Sequence, residues 1–265
     1  MGRVTPWVDL VVPVKPLPRA KTRLRGAADG GVGDLGAHQR LALALARDTV
    51  AAAVAAGSVR SVLVISSDPA VAMEVGALGV EVVTDPGRGL NGALRHGAAL
   101  LRARSGGAPG SSGGHGAPGG AAPGPRGAGI AIGALQADLP ALRTELLDDA
   151  VADAAHRFAT GATRVFVPDA PGTGTTLLLA APGHDLAPHF GGASAAAHTA
   201  SGAVALDGDR PGLRRDVDTA ADLDDAVRLG VGEWTRAVLD GRPAGVPEPG
   251  VTPCPPSGST PCPKV

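Results

Sequence analysis

Short apolar runs along the chain alternate with segments in which apolar residues recur every three or four positions. The runs predict strands and the periodic segments predict helices. The predicted strands are residues 9–14, 61–66, 80–85 and 129–135, with two more within 163–169 and 174–182. The predicted helices are residues 37–56, 69–78, 91–104 and 141–156, with a last one opened by Thr219. This alternation predicts a single α/β domain with a mostly parallel central sheet flanked by helices.

The alternation breaks at residues 105–127, which contain ten glycines and four prolines. Such a segment buries too little apolar surface to offset the entropy lost on ordering, so we expect a flexible surface insertion. The α/β pattern resumes directly after it. Residues 242–265 are rich in proline and predict a disordered tail. The expected organisation is one domain over residues 1–241, followed by this tail.

Composition narrows the classes of function that need to be considered. The 265-residue chain has a net charge of −1, and 44% of its residues are hydrophobic, enough for a substantial core. It has no tyrosine and no basic excess, which argues against a nucleic-acid-binding surface. No long apolar stretch predicts a signal peptide or a membrane span, so the expected location is the cytoplasm. Cys254 and Cys262, both in the predicted tail, suggest neither a disulfide framework nor a zinc site.

Positive charge is concentrated where the first predicted strand ends. The stretch VVPVKPLPRAKTRL, residues 11–24, delivers Lys15, Arg19, Lys21 and Arg23 into a loop stiffened by prolines. Clustered cations can neutralise several phosphate oxygens at once, although a solvated basic turn would give the same pattern. The P-loop motif and the G-x-G-x-x-G dinucleotide motif are both missing from this position.

Aspartates supply the opposite charge. Asp138 directly follows a predicted strand, at the edge where ligands bind in open α/β sheets. Asp216 and Asp218 alternate on an extended segment and are expected to point the same way, although Asp218 could simply precede a helix start. Magnesium is usually held by one or two carboxylates together with substrate phosphates. Aspartates that can bind a metal cation, together with basic residues that can bind phosphate, predict phosphoryl or nucleotidyl transfer.

Two small polar segments complete the candidate chemistry. The first is GTGTT at residues 172–176, and the second contains Gly191 and Ser194. Glycine allows close backbone approach, and backbone N–H groups with hydroxyls can cradle a phosphate or a carboxylate. Glycine and serine also fill ordinary turns, so these segments alone carry little weight.

Five motifs in this order resemble the phosphoenolpyruvate guanylyltransferase / 2-phospho-L-lactate guanylyltransferase family of coenzyme F(420) biosynthesis. They are VPVKPLPRAKTRL, LQADLPAL, GTGTTLL, HFGGAS and DVDTAADL. The resemblance spans about residues 9–230, apart from the Gly/Pro insertion. It implies a nucleotide-diphospho-sugar-transferase-like fold. The motif LQADLPAL departs from the usual family pattern at Ala137, where glycine is expected, and HFGGASAAAH lacks a second serine and a basic residue before His198.

The resemblance also implies roles for individual residues. Lys21, Asp138 and Asp218 resemble the catalytic positions, and the two aspartates resemble the ligands of Mg²⁺. The nucleotide-binding positions correspond to Lys15, Lys21, Arg23 and, in GLNGAL, Asn91. The positions that hold phosphoenolpyruvate correspond to Thr175, Gly191 and Ser194.

The resemblance therefore predicts transfer of GMP from GTP to phosphoenolpyruvate. The sequence leaves 2-phospho-L-lactate open as the acceptor, and the downstream enzyme of the same pathway is a possible partner protein. Another nucleotidyltransferase of this fold, with a sugar phosphate or a molybdopterin as its acceptor, would need the same kinds of metal-binding and phosphate-binding residues. A nucleotide-binding scaffold without catalytic activity is the alternative from another class.

Overall fold

A seven-stranded sheet forms the centre of the molecule, in the order β3-β2-β1-β4-β6-β5-β7. The computed structural model describes residues 7–106 and 129–241. The strands are β1 Val8–Pro13, β2 Val59–Ile65, β3 Glu81–Val83, β4 Ala131–Leu135, β5 Arg164–Pro168, β6 Thr175–Ala180 and β7 Val204–Ala205. Among them only β6 runs antiparallel to its neighbours, so the prediction of a mostly parallel sheet is confirmed.

Helices cover both faces of this sheet. They are α1 Leu35–Ala55, α2 Pro69–Gly76, α3 Gly89–Gly106, α4 Thr144–Ala159, α5 Ser194–Ala200, α6 Pro211–Arg214, α7 Ala220–Leu229 and α8 Glu233–Leu239. Alternate residues of β1 point to opposite faces, so Leu10 and Val12 pack with α1 and α4, while Val11 packs with α3. The result is a helix–sheet–helix sandwich with buried apolar residues on both sides of the sheet.

Several elements differ from the sequence-based prediction. Helix α3 continues to Gly106, so the first two residues of the predicted insertion are helical. The rest of that insertion and the predicted tail lie outside the described residues. The sequence-based prediction missed helices α5, α6 and α8 and strand β7. Of these, α5, α6 and β7 contain only seven, four and two residues, which are mostly small or polar. No helix in the described part of the chain is long and apolar enough to cross a bilayer.

The sheet topology brings the ends of three strands to one edge. Strands β1 and β4 are parallel neighbours at the centre, so both carboxyl ends lie at the same edge. Because β6 is antiparallel to β4, its amino end lies at that edge too. The register pairs Leu135 with Leu177, and the Gln136 N–H donates to the Thr176 carbonyl at 2.9 Å. Thr175 therefore lies across from Ala137, next to Asp138.

Candidate active site

The loop after β1 carries the clustered cations, and its backbone is held by two neighbouring elements. We call residues 15–24 the basic loop. The Leu17 N–H donates to Asp68 Oδ2 at 2.8 Å, at the start of α2. The His38 Nε2–H on α1 donates to the Ala20 carbonyl at 2.7 Å. These contacts fix the backbone just before Lys21.

Lys21 itself has an unusual backbone conformation. Its φ of 50° and ψ of 43° lie in the left-handed region, which costs a non-glycine residue about 1 kcal/mol. The Leu24 N–H closes a tight turn onto the Lys21 carbonyl at 2.8 Å. This conformation directs the lysine side chain away from the loop and toward the aspartates beyond β4.

The aspartates come from two segments that a backbone hydrogen bond joins. Asp138 follows β4, and its carbonyl accepts from the Val217 N–H at 3.0 Å. Val217 is fully buried, which anchors the extended segment that carries Asp216 and Asp218. Thr219 opens α7, as the sequence predicted, and caps it in a capping box with Asp222. Helix capping is therefore done by Thr219, and the Asp218 side chain is left available to the site.

Lys21 joins the two carboxylates. Its ammonium group contacts Asp138 Oδ2 and lies 2.5 Å from Asp218 Oδ1. The second oxygen of Asp138, Oδ1, is buried and has no hydrogen-bond partner among the described residues. An unpartnered buried carboxylate oxygen is costly unless a donor or a cation occupies the adjacent space. The geometry thus places opposite charges in one crevice and leaves one ligand position of Asp138 unfilled by protein.

Burial and charge alter the acidities of this cluster. Burial acts to lower the pKa of Lys21, but the carboxylates of Asp138 and Asp218 raise it well above its ordinary value. Burial acts to raise the pKa of Asp218, and the nearby cations, Lys21 first, lower it overall. Burial, together with the negative charge of Asp138, raises the pKa of Asp216 to about 7. Asp216 is therefore the carboxyl of this cluster that most strongly resists ionisation until more positive charge arrives.

A cavity of about 380 Å³ opens between these groups. Its walls are the basic loop, the carboxyl end of β4 and one side of α1. The polar lining comes from Lys15, Lys21, Arg23, Gln136, Asp138 and Asp218, and the apolar lining includes Leu45 and Leu90. Three of the sequence-predicted cations and two of the predicted carboxylates thus converge on one cavity, whereas Asp216 does not line it. The Arg19 side chain lies outside the described part of the chain.

The predicted acid-binding residues lie along the neighbouring strand and turn. Thr175 begins β6 and is buried, with its hydroxyl 2.9 Å from His198 Nδ1. Ser194 begins α5 and is also buried. Gly191 has a φ of 111°, a conformation open essentially to glycine, and the space where a Cβ would lie has no other atom within 4 Å. The Ala195 N–H donates to the Thr173 carbonyl at 3.0 Å, which ties both segments together.

Asn91, expected on the nucleotide side, instead contacts the turn before Gly191. Its Nδ2 donates to the Phe190 carbonyl at 2.9 Å, and its Oδ1 accepts from the Phe190 N–H at 2.8 Å. The side chain thereby pairs with the main chain as a neighbouring strand would. This contact connects the start of α3 to the acid-binding turn, while the predicted nucleotide-binding role stays a prediction.

Sequence reasoning assigned no role to His198. It lies four residues after Ser194 in α5, so both side chains fall on one helix face. That spacing was a usable signal, but a lone histidine in an alanine-rich segment gives no sign of its partners. No group of three histidine, cysteine or carboxylate residues able to hold a metal exists within the described ranges.

Comparison with solved structures agrees with the fold. A nucleotidyl transferase from Methanothermobacter thermautotroptrophicus matches with a TM-score of 0.52 at 17% identity, over 84% of this chain and 98% of that one. A protein from Desulfovibrio desulfuricans G20, assigned to the nucleotide-diphospho-sugar transferases, matches with a TM-score of 0.57 at 16% identity, over 88% of this chain and 94% of that one. The predicted nucleotide-diphospho-sugar-transferase-like fold is confirmed.

Sequence comparison identifies nearer relatives. No family model matches the sequence. The phosphoenolpyruvate guanylyltransferase of Geodermatophilus obscurus is 51% identical over 92% of this chain and the whole of that protein. Those of Salinispora arenicola and Streptomyces coelicolor are 51% and 48% identical, over 89% and 86% of this chain and 94% of each relative. With such identity over nearly its full length, this chain belongs to the phosphoenolpyruvate guanylyltransferase family.

Proposed function

We propose that this protein transfers GMP from GTP to phosphoenolpyruvate, giving enolpyruvyl-diphospho-5'-guanosine and pyrophosphate for coenzyme F(420) biosynthesis. The observation that carries this proposal is the single crevice in which Lys21 contacts both Asp138 and Asp218, with Thr175 across from Ala137 in the adjoining strand. A triphosphate and a phosphorylated acid need such adjoining regions of charged and neutral hydrogen-bonding groups.

Lys15, Lys21 and Arg23 hold the triphosphate. Their charges reach the carboxylate of Asp218, so the same three cations are close enough to act on one polyanion. Several cations around one triphosphate offset its charge and fix the orientation of the α-phosphorus. The left-handed backbone of Lys21 supports this role, because strained residues are kept where the surrounding contacts hold a side chain in a particular direction.

Asp138 and Asp218 hold Mg²⁺. The free, buried Oδ1 of Asp138 and the carboxylate of Asp218 are oxygen ligands of the kind that magnesium prefers, and substrate phosphates complete such a set. When bound, the cation neutralises charge on phosphate oxygens. The ammonium group of Lys21 contacts both carboxylates and adds a second positive charge to the one that the cation would bring. In the proposed complex this ammonium group lies close to the phosphates of GTP.

The chemical step is an in-line displacement at phosphorus. A phosphate oxygen of phosphoenolpyruvate forms a new bond to the α-phosphorus of GTP. The bond from that phosphorus to the bridging oxygen breaks, and its electrons leave with pyrophosphate. The nucleophile is already an anion, so no general base is required, and the residues act by positioning and by charge neutralisation.

Thr175, Gly191 and Ser194 hold the acid. The buried hydroxyls of Thr175 and Ser194 and the open backbone at Gly191 provide donors without a compensating negative charge. Thr175 follows the sheet register to a place beside Asp138, so an acid bound there lies next to the triphosphate site. The nearness of the two halves supports direct transfer between substrates.

Pyrophosphate release tests the proposal. The purified protein is incubated with GTP and Mg²⁺ and with phosphoenolpyruvate, 2-phospho-L-lactate, a sugar phosphate or no acceptor, and mass spectrometry identifies the product. We expect the guanylylated enolpyruvyl diphosphate with phosphoenolpyruvate. A product with 2-phospho-L-lactate alone would change the acceptor. A sugar-phosphate product would contradict the proposal, as would GTP binding without any release of pyrophosphate.

A further inference from the structure

His198 uses both nitrogens of its ring although it is fully buried. Its Nε2 lies 2.9 Å from the backbone nitrogen of His189, and its Nδ1 lies 2.9 Å from Thr175 Oγ1. Strand β6 and the turn that leads to Phe190 and Gly191 are thus joined through one imidazole. Both of these segments carry residues that we place at the phosphorylated acid.

The partners of the ring determine which nitrogen carries the hydrogen. A backbone N–H can only donate, so Nε2 accepts from His189 through its lone pair. A neutral ring then carries its hydrogen on Nδ1 and donates it to the Thr175 hydroxyl oxygen. That oxygen is an acceptor toward His198, which leaves the hydroxyl hydrogen of Thr175 free for another partner.

The surroundings of His198 favour the neutral ring. Phe166 and Phe190 lie against the imidazole, with ring centres 5.7 Å and 5.1 Å away. Burial first, and then the charges of His189 and Arg164, lower the pKa of His198 to about 4. The ring is therefore uncharged at neutral pH, and its hydrogen-bond directions do not change there.

We propose that His198 is a positioning residue that makes the Thr175 hydroxyl a dedicated hydrogen-bond donor to the phosphorylated acid and holds the adjoining His189–Gly191 turn. The inference rests on the proposed function, because it takes Thr175 to contact that acid. The oxygens of a phosphate or carboxylate group only accept hydrogen bonds. A hydroxyl whose oxygen is already occupied by an imidazole N–H can meet them in only one way, as donor.

Three substitutions separate this role from simple packing. His198→Gln places an amide near the Nε2 position and removes the partner of Thr175. His198→Asn places an amide nitrogen near Nδ1 and can still donate to Thr175. Thr175→Val keeps the shape of the side chain and removes the hydroxyl. Steady-state kinetics on each enzyme give separate KM values for GTP and for phosphoenolpyruvate.

We expect His198→Gln and Thr175→Val each to raise the KM for phosphoenolpyruvate about 10-fold, the size of one lost hydrogen bond. His198→Asn keeps the donor to Thr175 and loses only the acceptor of the His189 N–H, so it should raise that KM by no more than about threefold. Combining His198→Gln with Thr175→Val should add less than about twofold, because the two changes remove the same interaction. The KM for GTP should not change in any of them.

Additive effects of His198→Gln and Thr175→Val would overturn the inference, and so would a matching rise in the KM for GTP. A second measurement needs no substrate: nitrogen-15 NMR of the imidazole at pH 7 should show a neutral ring with its hydrogen on Nδ1. A hydrogen on Nε2, or a charged ring, would also overturn it. If the unchanged enzyme releases no pyrophosphate with any acid, the proposed function fails and this inference with it. If the unchanged enzyme releases pyrophosphate and the effects of His198→Gln and Thr175→Val on the KM are additive, the proposed function stands and only the role of His198 is wrong.

Discussion

The two halves of the candidate site are built in opposite ways. In the charged half, Lys21 pairs with Asp138 and Asp218, which lie 117 and 197 positions away along the chain. These groups are partly open to solvent, and 56% of the Asp218 side chain is exposed. In the neutral half, Thr175 and His198 are buried and connected by hydrogen bonds without formal charge.

The two halves differ in whether protein groups alone satisfy their polar atoms: in the neutral half they satisfy both nitrogens of His198, and in the charged half they leave one carboxylate oxygen unpaired. In the charged half, Lys21 pairs with both carboxylates, and one oxygen of Asp138 has no partner among the described residues. The proposed binding of a triphosphate and a cation would therefore rearrange these contacts. In the neutral half, protein groups alone complete the hydrogen bonds of the His198 ring. Preformed donors lose little energy to reorganisation, which is the usual requirement for orienting a substrate.

We expect the largest loss of activity when a charge is removed from the charged half. Asp138→Asn keeps the size of the side chain but removes one negative charge from the proposed metal site. We expect turnover to fall at least 1,000-fold, about 4 kcal/mol, with the fold retained. Pyrophosphate release at saturating Mg²⁺ measures the loss, and circular dichroism checks the fold.

Asp207→Asn is the matched control, because that carboxylate is 91% exposed and makes only a 3.7 Å contact with Arg157. It should leave turnover within about twofold, as a substitution on an exposed surface normally does. Mg²⁺-dependent turnover that survives largely intact in Asp138→Asn would contradict the metal role of Asp138.

In the neutral half, the pH dependence of the free energy of unfolding gives the corresponding test, because His198 can titrate. His198 has a pKa of about 4 in the folded protein, against 6.5 for an unperturbed histidine. Below pH 6.5 the unfolded chain binds a proton that the folded protein does not, so this histidine makes folding less favourable as the pH falls toward 4. The neighbouring His189 and Arg164 add positive charge that opposes protonation.

Urea unfolding at pH 7 and pH 4.5 tests this effect. Between those values the unchanged protein should lose about 2 to 3 kcal/mol more of its unfolding free energy than His198→Asn, which cannot titrate. Equal losses in the two proteins would mean that the pKa of His198 is the same in the folded and the unfolded protein. The lowering of that pKa by burial and by the charges of His189 and Arg164 would then be contradicted.

Lys21→Ala should affect GTP more than the acid. The substitution leaves Asp138 and Asp218 facing the triphosphate without their shared cation, so we expect GTP affinity to fall about 20-fold. Arg25→Ala is the matched control, because Arg25 directly follows the basic loop, is exposed and does not line the cavity. Calorimetry with GTP measures both; equal affinities for Lys21→Ala and the unchanged protein would contradict the assignment of the loop.

The charged half was easier to predict from sequence than the neutral half. Lys21 and Asp138 follow apolar strands whose carboxyl ends meet at one edge of the sheet, where ligands bind in α/β folds, and Asp218 lies in a charged segment that carries two alternating aspartates. The joining of Thr175 to His198 depends on β6 running antiparallel, and local periodicity does not reveal strand direction. Helix α5 was missed for a related reason, since its seven small and polar residues carry no apolar stripe.

Asn91 tests where the charged half ends and the neutral half begins, because the resemblance places it with the nucleotide and the structure joins it to Phe190. Two hydrogen bonds at 2.8 and 2.9 Å connect it to that backbone, so Asn91→Ala should loosen the turn before Gly191. We expect the KM for phosphoenolpyruvate to rise about fivefold and the KM for GTP to stay unchanged. Asn91→Gln should behave in the same way, because one added methylene prevents both bonds from forming together. If the KM for GTP rises while that for the acid does not, Asn91 belongs to the nucleotide site, and the charged half extends to the start of α3.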